Sequence, residues 1–328
     1  MRQADVVIVG AGVAGLSAAM ITAAHGARTL VLEQLVPGGQ IAGVEMIGNV
    51  PGFSDSVAGY ELGPLLQQQA ERAGAIVELE GVSAISVEEV GYRIACSRDD
   101  ILARAVIVAA GSSLRALDVP GERELAGRGI SHCAACDGPL FKGQPVVVVG
   151  GGDSAFDEAA ALASFASEVT VIHRGREPAA RAAAVMRLAA LDHVTTIADA
   201  EVTAIEGDRH VEAVTIRHGN RVERKACRAV FVYAGLEPRS QIVRDLVSLD
   251  LEGHIITDLM MRTSRPGVFA AGDVRAGSVK LLAAVAGDAA TAAIGAIRYL
   301  RTNDENKNMI GQGDGLGAAE RVRIGSSG

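Results

Sequence analysis

The chain has 328 residues, of which 49% are hydrophobic and 3% aromatic, and its net charge is −8. This length accommodates two domains with cores of Ala, Val, Leu and Ile, and the acidic balance argues against nucleic acid and anionic membrane surfaces as partners. No apolar run approaches the ~20 residues that span a bilayer, and no signal peptide is recognisable, so we expect a cytoplasmic protein without a membrane association.

The N-terminal segment predicts a strand, a glycine-rich turn and a helix. Ala4–Gly15 reads ADVVIVGAGVAG, and an alanine-rich helical segment and a second strand, Thr29–Leu32, follow it. The motif glycines allow a tight turn, the approach of a pyrophosphate and close helix–strand packing, respectively; they are Gly10, Gly12 and Gly15. Glu33 ends the second strand, where a carboxylate accepts hydrogen bonds from ribose hydroxyls. This unit is predicted to bind FAD or NAD.

A pair of cysteines follows further along the chain. Cys133-Ala134-Ala135-Cys136 is a C-x-x-C directly followed by Asp137, whereas Cys96 and Cys227 are isolated. Two intervening residues let the thiols close a small disulfide ring, and a neighbouring carboxyl group can move the proton that exchange requires. A structural zinc site would need four ligands, and the sequence offers no second C-x-x-C. We predict a redox-active dithiol and no metal site; an inert buried pair is the alternative.

The first pattern is repeated after the cysteines. Gln144–Ala155 reads QPVVVVGGGDSA, a second strand is predicted at Val169–Ile172, and 23 residues separate Gly10 from Glu33 as they separate Gly150 from His173. The motif positions of this copy are Gly150, Gly152 and Ala155. Cations follow its second strand and suit a 2′-phosphate, which predicts an NADP site; they are His173, Arg174, Arg176 and Arg181. A solvated helix face is the alternative for these arginines.

The C-terminal part predicts one more strand and a long helix. Val268–Asp273 reads VFAAGD, which would bring Asp273 to a ligand unless it is a buried structural residue, and Lys280–Ile297 is rich in Ala. The N-terminus of such a helix could support the polar edge of a flavin. We expect residues 303–328, which are polar and glycine-rich, to be a flexible tail. The repeated βαβ pattern predicts an α/β fold with two Rossmann-like, three-layer dinucleotide-binding domains.

Together these motifs resemble the low-molecular-weight thioredoxin reductase family, over roughly residues 4–300. The segments that carry the resemblance are GAGVAG at 10–15, GGQ at 38–40, GNVPGF at 48–53, CAACDG at 133–138, GGGDSA at 150–155 and TSRPGVFAAGDV at 263–274. The resemblance implies a homodimer with an FAD domain formed by residues 1–115 and 246–302. An inserted NAD(P)H domain, residues 116–245, would carry the redox cysteines.

The resemblance also implies the electron path and the site residues. Electrons would pass from NADPH to FAD, to the disulfide and then to a partner, while the inserted domain rotates between two positions. Cys136 would face the flavin, Cys133 would attack the partner disulfide and Asp137 would be the acid. The positions implied to contact FAD, beside the first motif and Glu33, are Gly39, Gln40, Asn49, Gly272, Asp273, Lys280 and Leu281.

The chain departs from the family pattern at three places. Gly175 replaces the second Arg of a His-Arg-Arg, Lys280-Leu281 stands where an Arg-Gln pair is usual, and Pro238-Arg239-Ser240 replaces a Pro-Asn-Thr. The leading hypothesis is an NAD(P)H-dependent flavoprotein that reduces the disulfide of a thioredoxin-like small protein. The alternative is an FAD-dependent dithiol oxidase that closes a disulfide in a small-molecule natural product and passes electrons to oxygen. A non-catalytic nucleotide sensor is a third possibility, and its sign would be a missing dithiol.

Overall fold

The structure is a computed structural model that describes residues 1–44 and 46–319. The chain forms two compact units, one of Met1–Ser112 with the segment from Pro238 onward, and one of Ser113–Glu237. The sequence suggested boundaries at 115/116 and 245/246, and the compact units divide at Ser112 and at Pro238.

Seventeen strands occur in the described residues. They are β1 (Arg2–Val9), β2 (Thr29–Glu33), β3 (Ile76–Leu79), β4 (Val82–Glu88), β5 (Gly91–Cys96), β6 (Ile101–Val108), β7 (Ser112–Leu114), β8 (Ile130–Ser131), β9 (Pro145–Val149), β10 (Glu168–Ile172), β11 (Val194–Ile197), β12 (Ala200–Glu206), β13 (Ala213–His218), β14 (Arg221–Ala226), β15 (Ala229–Val232), β16 (Leu236–Pro238) and β17 (Val268–Ala270). The α-helices are α1 (Val13–Ala24), α2 (Gly59–Arg72), α3 (Ala134–Asp137), α4 (Asp153–Leu162), α5 (Ala182–Ala189) and α6 (Leu282–Ala319). Short 3₁₀ helices lie at Gly39–Gly43, Gly138–Phe141, Gln241–Val243 and Gly272–Val274.

The first unit is built on a sheet in the order β3-β2-β1-β6-β5-β4, with β17 also paired to β6. Strand β1 is parallel to both β2 and β6. Its alternate side chains are buried on opposite faces, with Val6 and Ile8 among the alanines of α1 and α6, and Val7 among the residues of β4 to β6. Burial on both faces explains why the second half of this strand, Val6–Val9, is a continuous apolar run.

The second unit repeats this arrangement. Its parallel sheet has the order β11-β10-β9-β15-β8, so β10-β9-β15 corresponds to β2-β1-β6 of the first unit. A separate antiparallel sheet, β12-β13-β14, belongs to the same unit. The strand that begins each repeat, β1 or β9, has a neighbour on either side. Its carboxyl end is therefore the switch point where open α/β sheets bind ligands. The predicted α/β fold with two Rossmann-like units is therefore confirmed.

Two connecting strands join the units. β7 and β16 pair as a two-stranded ribbon at the two places where the chain passes from one unit to the other. Next to this ribbon, the Arg115 N–H donates to the Gly235 carbonyl at 2.9 Å, and the Arg239 N–H donates to the Gly111 carbonyl at 3.0 Å.

The last helix differs from the prediction at both ends. It begins at Leu282 rather than Lys280, because Lys280 has a φ of +53°, a left-handed conformation that an α-helix does not contain. It continues beyond Ile297 to Ala319, and no proline follows Pro266 to interrupt it. The expected tail, 303–328, thus lies partly in this helix, and residues 320–328 lie outside the described residues. No helix of the described chain is long and apolar enough to cross a membrane.

Candidate active site

A cavity of about 450 Å³ lies in the first unit, at the carboxyl ends of β1, β2 and β6. Eight of the predicted FAD-contacting residues line it: Gly10, Gly12, Glu33, Gly39, Gln40, Asp273, Lys280 and Leu281. Three others do not: Gly15 and Gly272 are buried behind the wall, and Asn49 is exposed elsewhere on the unit. The switch point of the sheet therefore holds most of the predicted site.

The glycine turn after β1 is enforced by close contacts. Gly10 has a φ of +102°, and a Cβ there would lie 2.4 Å from the Ala109 carbonyl oxygen on β6's extension. A Cβ at Gly15 would lie 1.8 Å from the Gly10 carbonyl oxygen, so only glycine lets α1 pack this closely on the turn. Gly12 and Gly38 form a β-bridge in the cavity wall, where a Cβ at Gly12 would be 4.0 Å from the Gly38 oxygen. The cradle at Gly12 is thus kept open by the absence of side chains, as a pyrophosphate requires.

Glu33 is buried at the end of β2 and is held by backbone amides. Its Oε2 accepts from the Ala11 N–H at 2.7 Å, and its Oε1 accepts from the Leu35 N–H at 2.9 Å. A carboxylate oxygen has more than one acceptor site, so both oxygens keep capacity for ribose hydroxyls. The carboxylate is fixed in position before any ligand binds.

The other polar residues of the cavity are connected to each other. Gln40 donates through Nε2 to Ser112 Oγ at 2.9 Å and to Asp273 Oδ2 at 3.4 Å. Ser112 and Arg239 line the cavity and were not predicted. Ser112 carried a usable signal, because the apolar run of β6 ends in Gly111-Ser112 as β17 runs into Gly272-Asp273.

These residues fit FAD. The glycine cradle suits its pyrophosphate, Glu33 suits its adenosine ribose, and Lys280 and Leu281 form the cavity wall just before the start of α6. When bound, FAD supplies a carrier for two electrons between a nicotinamide and a disulfide.

The second unit carries the corresponding loop between β9 and α4. Gly150 has a φ of +149°, and a Cβ there would lie 2.4 Å from the Tyr233 carbonyl oxygen. A Cβ at Gly152, the residue that precedes α4, would meet no atom within 4 Å, which leaves space for a phosphate at the helix start. Ala155 is fully buried where Gly15 stands in the first unit.

Two of the cations predicted to bind a 2′-phosphate are engaged with acidic side chains. Arg174 lies 3.4 Å from Glu201, and Arg181 lies 3.1 Å from Asp153 and 2.7 Å from Asp157. All of these arginines remain exposed, so the ion pairs are weak and a phosphate can compete for them.

His173 does not present a charge to this surface. It is buried, at 4% exposure, and its ring lies against Gly151, where a Cβ would be 3.0 Å from the His173 Cβ. Neither ring nitrogen has a hydrogen-bond partner among the described residues. Burial lowers the pKa of His173, which favours the neutral ring.

The two predicted redox cysteines form a disulfide at the start of α3. Cys133 and Cys136 are joined, with 5.3 Å between their Cα atoms. Cys133 is the residue that caps α3, and its Sγ accepts from the Cys136 N–H at 3.2 Å. An N–H directed at a sulfur stabilises negative charge there, so the geometry favours a thiolate on Cys133 when the bond is reduced.

Asp137 is connected to Cys133 through Ser131, which was not among the predicted site residues. The Cys133 N–H donates to Ser131 Oγ at 3.1 Å, and the Ser131 hydroxyl donates to Asp137 Oδ2 at 2.7 Å. The carboxyl group is thereby held beside the disulfide, where it can take up or release a proton.

A second carboxyl group, on α4, also reaches the cysteine helix. Glu158 Oε2 accepts from the Ala134 N–H at 2.7 Å and from the Tyr233 hydroxyl at 3.0 Å. Burial raises the pKa of Tyr233, and the neighbouring Glu158 raises it further, so the phenol stays protonated and donates. Both residues lie far from Ala134 in the sequence, and only the packing of α3 on α4 brings them together.

The first unit has a cavity whose residues fit FAD, and the second unit has a nucleotide loop and a disulfide that can be reduced. These features define a class of protein: flavoproteins that exchange electrons with a dithiol. Comparisons with known proteins agree. The family model of the pyridine nucleotide-disulphide oxidoreductases matches residues 4–294. A thioredoxin reductase of Treponema pallidum (strain Nichols) is 38% identical over 300 residues, which cover 91% of this chain and 97% of that protein.

Solved structures are similar over the same extent. The thioredoxin reductase of Lactococcus lactis in its FR conformation has a TM-score of 0.86 at 37% identity, covering 91% of this chain and 99% of that one. That of T. acidophilum has a TM-score of 0.83 at 36% identity, covering 92% and 99%. The chain belongs to the low-molecular-weight thioredoxin reductase family of pyridine nucleotide-disulphide oxidoreductases.

Family membership confirms the predicted class of activity and the cofactors. The chain is an FAD-dependent dithiol–disulfide oxidoreductase, and its family uses FAD with NADPH. Nothing in the comparisons favours the dithiol oxidase alternative.

Proposed function

We propose that the chain passes two electrons from NADPH, by way of FAD and the Cys133–Cys136 disulfide, to the disulfide of thioredoxin or a thioredoxin-like small protein. The observation that carries this proposal is the disulfide at the start of α3, in the same unit as the second nucleotide loop. The relatives that are named thioredoxin reductase support the partner. By the same resemblance we propose a homodimer, and a cytoplasmic location, where a reducing environment keeps such a dithiol in use.

The residues of the site have distinct proposed roles. In the reduced pair, the Cys133 thiolate attacks one sulfur of the partner disulfide, the partner S–S bond breaks, and a mixed disulfide forms. Cys136 then attacks the Cys133 sulfur, which releases the partner dithiol and restores the Cys133–Cys136 bond. Asp137 donates a proton to the leaving thiolate, and the hydrogen bond from Ser131 orients it.

The nucleotide donor is proposed to be NADPH, with a modest preference over NADH. Arg174 and Arg181 are the candidate contacts of a 2′-phosphate, but each has an acidic neighbour and Gly175 supplies no third cation. The binding free energy from the 2′-phosphate is therefore smaller than a site with three free arginines would give.

Anaerobic titration of the holoprotein tests the proposal. NADPH should bleach the flavin absorbance, and addition of oxidised thioredoxin should restore it; with both present, NADPH should be consumed continuously. The matched control is Cys133→Ser, which should keep flavin reduction by NADPH and lose thioredoxin turnover. If only a dithiol bleaches the flavin, and oxygen uptake with peroxide formation follows, the chain is an oxidase and the proposal is wrong.

A further inference from the structure

Glu158 lies at the start of the cysteine helix without a role in the exchange as described. Its Oε2 accepts a hydrogen bond of 2.7 Å from the N–H of Ala134, the residue directly after Cys133. The Cys133 sulfur takes the N–H of Cys136 at 3.2 Å. The carboxylate and the sulfur therefore accept from backbone N–H groups two residues apart in the single turn of α3, so the two acceptors lie close together.

One further contact and the burial around it fix the carboxylate in place. The Tyr233 hydroxyl donates to the same Oε2 at 3.0 Å, and both Tyr233 and Glu158 are half-buried. Ala134, the first residue of α3, is completely buried. The negative charge is thus held beside Cys133 by donors from α3 and from the end of β15.

A negative charge at this place opposes a second one. When the disulfide is reduced, the Cys133 thiolate and the Glu158 carboxylate are two negative charges held at neighbouring N–H groups, and each disfavours the other. Destabilising the thiolate destabilises the reduced pair relative to the disulfide. A pair whose reduced form is less stable gives up its two electrons more readily.

We propose that Glu158 is a positioning residue that holds the cysteine helix and makes the Cys133–Cys136 dithiol a stronger reductant. The inference rests on the proposed function in that this dithiol delivers electrons to a partner. In that exchange the Cys133–Cys136 bond forms, the partner's S–S bond breaks, and two electrons and two protons pass to the partner. The other titratable groups around the cysteines are His132 before the pair, Asp137 on α3 and Tyr233.

The test measures the dithiol–disulfide equilibrium of the holoprotein without any partner. Wild type and Glu158→Gln, which keeps an acceptor for Ala134 but removes the charge, are equilibrated anaerobically at pH 8 with mixtures of reduced and oxidised dithiothreitol. Acid quenching, alkylation and mass spectrometry then give the reduced fraction of the pair. We expect Glu158→Gln to shift the equilibrium toward the dithiol by about two- to fivefold, the usual effect of one partly exposed charge on another. This corresponds to a rise of about 10–20 mV in reduction potential.

The matched control is Glu168→Gln, which removes the same charge from the same unit at a carboxylate paired with Lys225. It should leave the equilibrium unchanged. A second readout is the pH profile of Cys133 alkylation in the reduced protein, whose midpoint should move to lower pH in Glu158→Gln alone. Tyr233→Phe keeps the charge and should shift the equilibrium less than Glu158→Gln.

An unchanged or opposite equilibrium in Glu158→Gln overturns the proposal. An equal shift in Glu168→Gln would also overturn it, and so would a shift in Tyr233→Phe as large as that of Glu158→Gln. Either result would show that the charge of Glu158 beside Cys133 is not the cause of the shift. The measurement contains no thioredoxin, so its result does not depend on whether thioredoxin is the partner. A failure of the proposed function can therefore be distinguished from a failure of this inference.

Discussion

The two cysteines of the disulfide occupy unequal positions. Cys133 caps α3 and its sulfur accepts a backbone N–H, whereas Cys136 lies within the helix and is exposed. The stabilised thiolate therefore belongs to Cys133, which agrees with its proposed attack on a partner. The proposed partner of the flavin is then Cys136.

Single serine variants separate these roles. We expect Cys136→Ser to retain bound flavin but lose electron exchange between the flavin and the thiol. Cys133→Ser should leave Cys136 as a free thiol and produce a long-wavelength thiolate–flavin absorbance band. Absorbance spectra and thioredoxin turnover measure both effects. Wild-type turnover in both variants would show that this pair is not the active site.

Nucleotide preference also depends on single residues. An arginine–phosphate contact contributes about 1.5–3 kcal/mol to binding. Arg174 forms an ion pair with Glu201, which reduces its attraction for a phosphate. We expect Arg174→Ala to lower the NADPH-to-NADH ratio of kcat/KM, by up to about tenfold, and Glu201→Gln to raise it. Steady-state rates with both nucleotides give the ratio. Arg221→Ala, an exposed cation on β14, is the control, and an unchanged ratio in Arg174→Ala would contradict the assignment.

Local motifs made much of the site predictable, and contacts between distant elements did not. Gly10, Glu33 and the cysteine pair follow from short patterns whose chemistry requires those residues. Glu158 and Tyr233 act through neighbours more than twenty residues away, Ala134 and Glu158 respectively. No local pattern records which helix packs on which, so such residues need the structure.

Among the elements, α1 approaches its glycine turn more closely than α4 does. Gly15 leaves no room for a methyl group beside the Gly10 carbonyl, whereas the second unit has Ala155 at the same place. The pairs β1–β2 and β9–β10 followed from the repeated pattern, because each copy has the same spacing, whereas the places of β6 and β15 came from the structure. The start of α6 could not be predicted in this way, because the left-handed backbone conformation of Lys280 is set by its surroundings.

This close approach predicts the effect of one methyl group. Gly15→Ala should destabilise the protein by about 1–3 kcal/mol, as overpacking does, and weaken FAD binding. Gly287→Ala adds the same methyl group within α6, where nothing lies within 4 Å, and should stabilise by about 0.5–1 kcal/mol. Thermal unfolding midpoints and retained flavin measure both. Equal midpoints for the two variants would show that the contact at Gly15 is easily relieved.

The whole molecule is expected to carry FAD and not FMN. FMN lacks the adenosine ribose that Glu33 is positioned to bind, and it lacks the pyrophosphate that the cradle at Gly12 suits. Flavin released by heat from the purified protein should therefore have the mass of FAD. Glu33→Gln should release flavin more readily on dilution, measured by fluorescence, while Glu71→Gln, an exposed carboxylate on α2, should not. Release of FMN from wild type would refute the assignment of the cavity.

The pairing of β7 with β16 bears on how such a molecule evolves. The ribbon brings the two ends of the second unit side by side. For the first unit, the whole insertion is therefore equivalent to a loop that is closed at its ends. Loop-closure entropy grows only with the logarithm of length, about 0.6 kcal/mol for each doubling, so a large insertion costs the host sheet little. Mutations in the inserted module can therefore accumulate with little effect on the stability of the flavin-binding module. Descendants of one ancestor can in this way change their electron donor or their partner while they keep the same flavin site.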